Sequence, residues 1–325
     1  MKKILLPVIL IVGLLFISCS TEVDNYADYK DITVVYGLLE TSADTTFVKI
    51  TKAYLGPGNA LLFAQIPDSS NYPGKLNVYL IGKKNGVELP KIALDTITIH
   101  NKKAGDSIFY YPDQLLYYTN AHIDQAATYT LNIEKPTSTV TSVTKVVQNF
   151  QVVYPPNRIN FAATTASQIK WNTGINGRRY DIVLHFNYKE LQPGNPDTLD
   201  KVMVWGMGTR KSTDLNGGEE LQVSYNGEEF YTRLGQELEN ILNVKRWAGK
   251  VDVLISCGGD ELSTYIDVNK PSNSVVQEVP KFTNIDEGFG IFSSRLNMVR
   301  SYPLTVQSEI KLVEEHDWGF VLSQK

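Results

Sequence analysis

The sequence predicts a mainly β chain, built as two antiparallel β-sandwich domains with one inserted helix. Three observations lead there. The chain has 18 Tyr and 12 Phe, and many Thr and Val, which suit a pleated, half-buried backbone. Short runs alternate apolar and polar side chains, with turn residues between them. Tyr154-Pro155-Pro156-Asn157 interrupts the pattern near mid-chain, where two prolines restrict the backbone and end a sheet. The expected domains are therefore residues 31–153 and 154–325.

In the first domain, Asp31 to Leu39 opens with Val34, Val35, Leu38 and Leu39 around Gly37. Phe47 to Tyr54 alternates with the period of two that marks a half-buried strand. Gly56-Pro57-Gly58-Asn59 breaks it. Lys75 to Gly82 reads as a strand, and Lys83-Lys84-Asn85-Gly86 as a hairpin turn. Strands follow over 88–99, 107–111, 115–118, 127–133 and 139–147. Tyr129 sits where a tyrosine-corner residue would, although a core role also fits. Short strands at this spacing are the pattern of immunoglobulin-like sandwiches.

The second domain opens on Gln168 to Asn172. From Arg179, Tyr180, Ile182, Leu184, Phe186 and Tyr188 fall on one face of a strand. Trp171 followed by Tyr180-Asp-Ile-Val-Leu resembles fibronectin-type-III-like modules. Gln192 to Asp197 is a loop and Lys201 to Trp205 a strand. One helix is expected at 227–243, with Phe230, Leu234, Leu238 and Ile241 at helical spacing. Asn226 and Glu229 form a capping-box-like pair before it, and Glu228 and Glu229 suit its positive end. Val251 to Cys257 and Glu261 to Val268 read as strands. The tail after Ser293-Ser294-Arg295 reads as a last strand and a polar end.

The first residues say where the chain works. Lys2 and Lys3 precede an uncharged apolar run, Ile4 to Ile17. At ~1.5 Å per residue that run falls short of a ~30 Å hydrocarbon core. It reads as an export signal of residues 1–18. Leu15-Phe16-Ile17-Ser18-Cys19 resembles a bacterial lipobox, whose chemistry needs a thiol at Cys19 for the lipid thioether. Residues 19–30 are polar and acidic and read as a tether. Glu22 and Asp24 partly match a surface-export signal, which leaves either face of the outer membrane open.

Composition narrows the partners. Apolar residues make up 42% and charged residues 20%, which describes a folded chain. Without residues 1–18 the balance is 29 basic to 35 acidic, so a nucleic-acid partner, which wants a basic face, is not expected. With Cys19 assigned to lipid, Cys257 has no disulfide partner and reads as a small buried strand residue.

No catalytic or metal-ligating set is evident. His100, His122, His185 and His316 show no ligand spacing. Asp214-Leu-Asn-Gly-Gly-Glu-Glu loosely follows a calcium loop, but its twelfth position is Tyr225 where a bidentate Glu is needed. The acid pairs Glu219-Glu220 and Asp260-Glu261 would act as glycosidase carboxylates only across one cleft. No catalytic residue, metal or cofactor is assigned.

The ending Thr283-Asn284-Ile285-Asp286-Glu287-Gly288-Phe289-Gly290-Ile291-Phe292, with the early Val34-Val35-Tyr36-Gly37-Leu38-Leu39, carries a resemblance. It is similar to a family of exported Bacteroidetes lipoproteins of unassigned function. Tyr36 stands where that family commonly has Glu. The resemblance implies a cell-envelope lipoprotein, often encoded beside a TonB-dependent outer-membrane receptor. The expected function is a non-catalytic binding or accessory component of such an uptake system, anchored to the membrane by lipid. Tyr110, Tyr111, Tyr117 and Tyr118 would suit sugar stacking or core packing. An envelope hydrolase with an unrecognised carboxylate site is the alternative.

Overall fold

The computed structural model of the chain describes residues 32–53, 60–100, 113–270 and 281–322. The export signal, Cys19, the tether, Tyr110 and Tyr111 lie outside those residues. The described chain is mainly β, with several antiparallel sheets and few helices.

The N-terminal half carries β1 (Ile32–Glu40), β2 (Thr46–Ala53), β3 (Asn77–Lys84), β4 (Val87–Glu88) and β5 (Ile92–Ala93). β6 (Asp95–Ile99), β7 (Gln114–Thr119), β8 (Thr128–Glu134) and β9 (Thr139–Lys145) complete it. The C-terminal half carries β10 (Gln151–Tyr154), β11 (Ser167–Asn172), β12 (Arg179–Leu191), β13 (Leu199–Lys211) and β14 (Glu220–Tyr225). After them come β15 (Lys245–Gly258), β16 (Ile285–Asp286), β17 (Gly288–Tyr302) and β18 (Phe320–Val321).

A nine-stranded sheet runs β13-β12-β15-β17-β1-β2-β7-β6, with β18 added beside β15. A six-stranded sheet runs β16-β9-β8-β3-β4, with β5 beside β3, and a three-stranded sheet runs β10-β11-β14. The long sheet is continuous because β1 pairs with β17 in parallel, Val35 opposite Gly290.

Alternation along the strands fills two cores. Val35, Leu39, Val48 and Ile50 of the long sheet meet Val78, Leu80, Tyr129, Leu131 and Ile133 of the six-stranded sheet. Tyr180, Ile182, Leu184 and Phe186 meet Ile169, Trp171, Val223 and Tyr225 of the three-stranded sheet. Each such side chain removed from water is worth roughly 1.5–3 kcal/mol. Val146 belongs to the first core and Val147 to the second, ahead of the prolines. Ile285 and Phe292 belong to the N-terminal core although they lie far along the chain. Tyr129 is buried, and its hydroxyl accepts a hydrogen bond from the Asp124 N–H at 2.9 Å.

The helix content differs from expectation. The helix expected over 227–243 spans Gly227–Glu237. Asn226 caps it by accepting from Glu228 N–H, and Phe230 and Leu234 are buried as the spacing implies. It stops early because Leu238 turns to extended backbone at ψ 128°, and Asn243 adopts φ +60°. Nor is it the only helix. Glu261 to Val268, read as strand, lies in the helix Asp260–Val268, with Asp260 and Glu261 in its first turn. The tail holds a third, Val306–Glu314, capped by the Thr305 side chain. Ala60–Phe63 and Pro67–Ser70 are single turns.

Candidate functional site

The family-like ending forms a seam between the two cores. Ile285 and Asp286 pair with Ser142 and Thr141 of the six-stranded sheet. Two residues on, Gly288 begins β17 in the nine-stranded sheet. Asn284 holds this change of sheet: its Nδ2 donates to the Phe292 carbonyl at 2.6 Å, and its Oδ1 accepts from the Phe292 N–H at 3.0 Å. Ser142 Oγ donates to the Asn284 carbonyl at 2.7 Å, and Thr283 Oγ1 accepts from the Ile285 N–H. Gly290 lies at φ +103°, and a β-carbon there would sit 2.0 Å from the Val35 carbonyl oxygen. Ile291 and Phe292 are buried. These residues join sheets to one another; their polar groups are engaged with protein.

A different place is open to a ligand. A recess of about 920 Å³ lies along the end of β12, β13 and β15, beside β18. That volume falls within the roughly 300–1,000 Å³ of ordinary ligand pockets. Lys189, Asp200, Lys201, Lys245, Trp247 and Leu322 are among the residues that line it. Register explains their meeting. Lys189 stands opposite Asp200 on one side and Trp247 on the other, and Trp247 stands opposite Val321. Lys245, two residues before Trp247, shares its face.

The β12–β15 ladder slips between Phe186 and Tyr188, leaving Gly249 in a bulge at the recess wall. A β-carbon on Gly249 would lie 2.6 Å from the Asn187 carbonyl oxygen, so glycine admits the close backbone approach. Beneath it, Arg246 and Glu190 form a buried ion pair at 2.8 Å. Arg246 also donates to the carbonyls of Trp318 and Glu239, and Gln192 donates to Glu190. Burial pushes the Glu190 carboxyl up, but the hydrogen bonds from Gln192 and Arg246 prevail and hold it below the usual carboxylate range. The pair therefore stays charged and fixes the strand ends that carry the recess.

The electrostatics of the recess favour anions. Lys189 lies 3.7 Å from Asp200. Lys245 forms no ion pair among the described residues, and the charge of Lys201 helps to hold the buried Glu190 carboxyl down. On the face of Trp247 the two lysines Lys189 and Lys245 thus outnumber the one carboxylate, Asp200, at a concavity on a chain whose net charge is −4.

The other sequence candidates are committed elsewhere. Glu219 accepts from Thr213, Glu220 pairs with Lys170, Asp260 with Arg178, and Glu261 accepts from Ser293. Neither acid pair lines the recess. Asp214 accepts from the Asn216 N–H in a polar turn. Tyr117 is buried with its hydroxyl on the Leu76 N–H, and Tyr118 lies against Phe47. Cys257 is buried, and burial pushes its thiol up to about 12. Among the described residues no group of three His, Cys, Asp or Glu could hold a metal ion.

Sequence reasoning did not single out the recess. The one usable signal was the loop Gln192–Asp197, since closing that hairpin sets Lys189 opposite Asp200. No family model matches the chain. No curated protein matches it either.

Proposed function

We propose that the chain is a lipid-anchored cell-envelope protein that binds its ligand rather than transforming it, as an accessory component of a TonB-dependent outer-membrane uptake system. The observation that carries this reading is the stretch Lys2-Lys3, Ile4 to Ile17, Ser18-Cys19. A lined recess with a tryptophan and excess lysine is the donor set of a binding site for an anion, which supports it.

The reading includes two sandwiches of immunoglobulin and fibronectin type III kind. Its support is strand order. β1-β2-β7-β6 facing β9-β8-β3 follows the A-B-E-D and G-F-C order of constant-type immunoglobulin domains. The Tyr129–Asp124 bond matches a tyrosine corner. β10-β11-β14 facing β13-β12-β15-β17 follows an A-B-E and C′-C-F-G order. The shared long sheet then joins the first strand of one sandwich to the last of the other.

The test is the mass of the amino-terminal peptide of protein purified from host membranes. The reading expects a chain beginning at Cys19 and carrying diacylglycerol with an amide-linked acyl chain. An unmodified Cys19, with the protein in the soluble fraction, overturns it.

A further inference from the structure

We propose that the recess beside Trp247 binds an acidic oligosaccharide, an inference that rests on reading the chain as a binding protein and names its ligand class. The tryptophans differ in their commitments. Trp171 and Trp205 are buried in the core, and Trp318 stacks on His316 at 3.9 Å. Trp247 is half-buried, lines the recess, and has no ring partner among the described residues. An indole presents an apolar, electron-rich face, which suits the C–H side of a sugar ring.

The shape of the site points to a chain rather than a single group. Asp200, Lys189, Trp247 and Val321 follow one another across four neighbouring strands. At ~4.8 Å per strand this row extends about 14 Å. Lys245 flanks Trp247 along β15 on the same face, whereas Lys201, one residue past Asp200, lies on the other face of β13 opposite Tyr188. Lys189 in the row and Lys245 beside it set two separate ammonium groups along the face of Trp247, which match charges repeated along a chain better than one phosphate. Each lysine ammonium gives a carboxylate or sulfate a charge-assisted hydrogen bond. The backbone under the row is fixed by the Gly249 bulge and the buried Arg246–Glu190 pair, which limits the ordering cost of binding.

The experiment titrates the detergent-solubilised, full mature lipoprotein by calorimetry and tryptophan fluorescence. The probes are tetragalacturonate, a sulfated heparin tetrasaccharide, a sialylated oligosaccharide, neutral galactotetraose, and phosphatidylglycerol vesicles. At least one acidic saccharide is expected to bind at least tenfold more tightly than galactotetraose, with affinity falling as salt rises. Trp247→Ala, and separately Lys189→Gln with Lys245→Gln, should each weaken it at least tenfold. All altered side chains are exposed or half-buried, so circular dichroism should not change. Binding of galactotetraose alone, still lost in Trp247→Ala, overturns the acidic ligand and leaves the binding-protein reading standing. Binding of vesicles but no saccharide, saccharide binding unaltered in both variants, or no binding of any probe overturns the inference. The state of Cys19, read by mass, decides the anchor separately.

Discussion

Gly290 sits where both its backbone and its neighbour exclude a side chain. Its φ of +103° is costly for any other residue, and the Val35 carbonyl occupies the β-carbon position. Gly290→Ala should lower stability by about 3 kcal/mol, read as a fall in the urea midpoint with unchanged slope. Arg246 and Glu190 make a second residue-level claim. Removing one partner leaves a buried charge, so Arg246→Leu should cost about 3–5 kcal/mol. The pair also sets a pH dependence. The folded Glu190 carboxyl lies below its ordinary value of 4.5. Its contribution is therefore complete above that value and is lost as pH falls through the lower folded value. Urea titrations between pH 6 and pH 3 should show a shallower acid decline in Glu190→Gln than in the parent. The seam motif was visible in the sequence as a pattern, but its purpose was not. The atoms it serves, at Val35, Ser142 and Val143, are distant along the chain and meet it only through sheet pairing.

At the scale of elements, local chemistry decided what could be read. β8 and β12 alternate cleanly, and their buried faces are those the sequence marks. The Asn226 cap was equally legible, because capping is a local bond. Asn226→Ala should cost about 1 kcal/mol, checked by the thermal midpoint, with hydrogen exchange rising in Gly227–Glu237 before elsewhere. The helix Asp260–Val268 misled because Thr264, Ile266 and Val268 are β-branched and favour strands. Tertiary bonds override that preference: Gly259 N–H donates to the Ser294 carbonyl, and Leu262 N–H to Ser293 Oγ. The recess was illegible for the same reason as the seam. Lys189, Asp200 and Trp247 lie on three strands, and only the paired register sets them in one row.

For the whole molecule, one sheet serves as a wall of both cores, so the halves share stability. Residues 31–146 expressed alone would lose β16, β17, Ile285 and Phe292, and would expose the β1 edge. The fragment should melt at least 10 °C below the intact chain and associate at high concentration, as calorimetry and sedimentation would record. The intact chain should unfold in one cooperative transition. Such a body displays its recess on strand ends, and in the proposed reading a lipid on Cys19 would hold the chain at a bilayer. The central claim, a membrane-held binding partner of an uptake receptor, is tested most directly by affinity capture of the tagged protein from solubilised envelope membranes. The account predicts a TonB-dependent outer-membrane receptor in near-stoichiometric yield, lost together with membrane retention in Cys19→Ser. Recovery of the protein alone, or its release into the culture fluid with Cys19 intact, would contradict it.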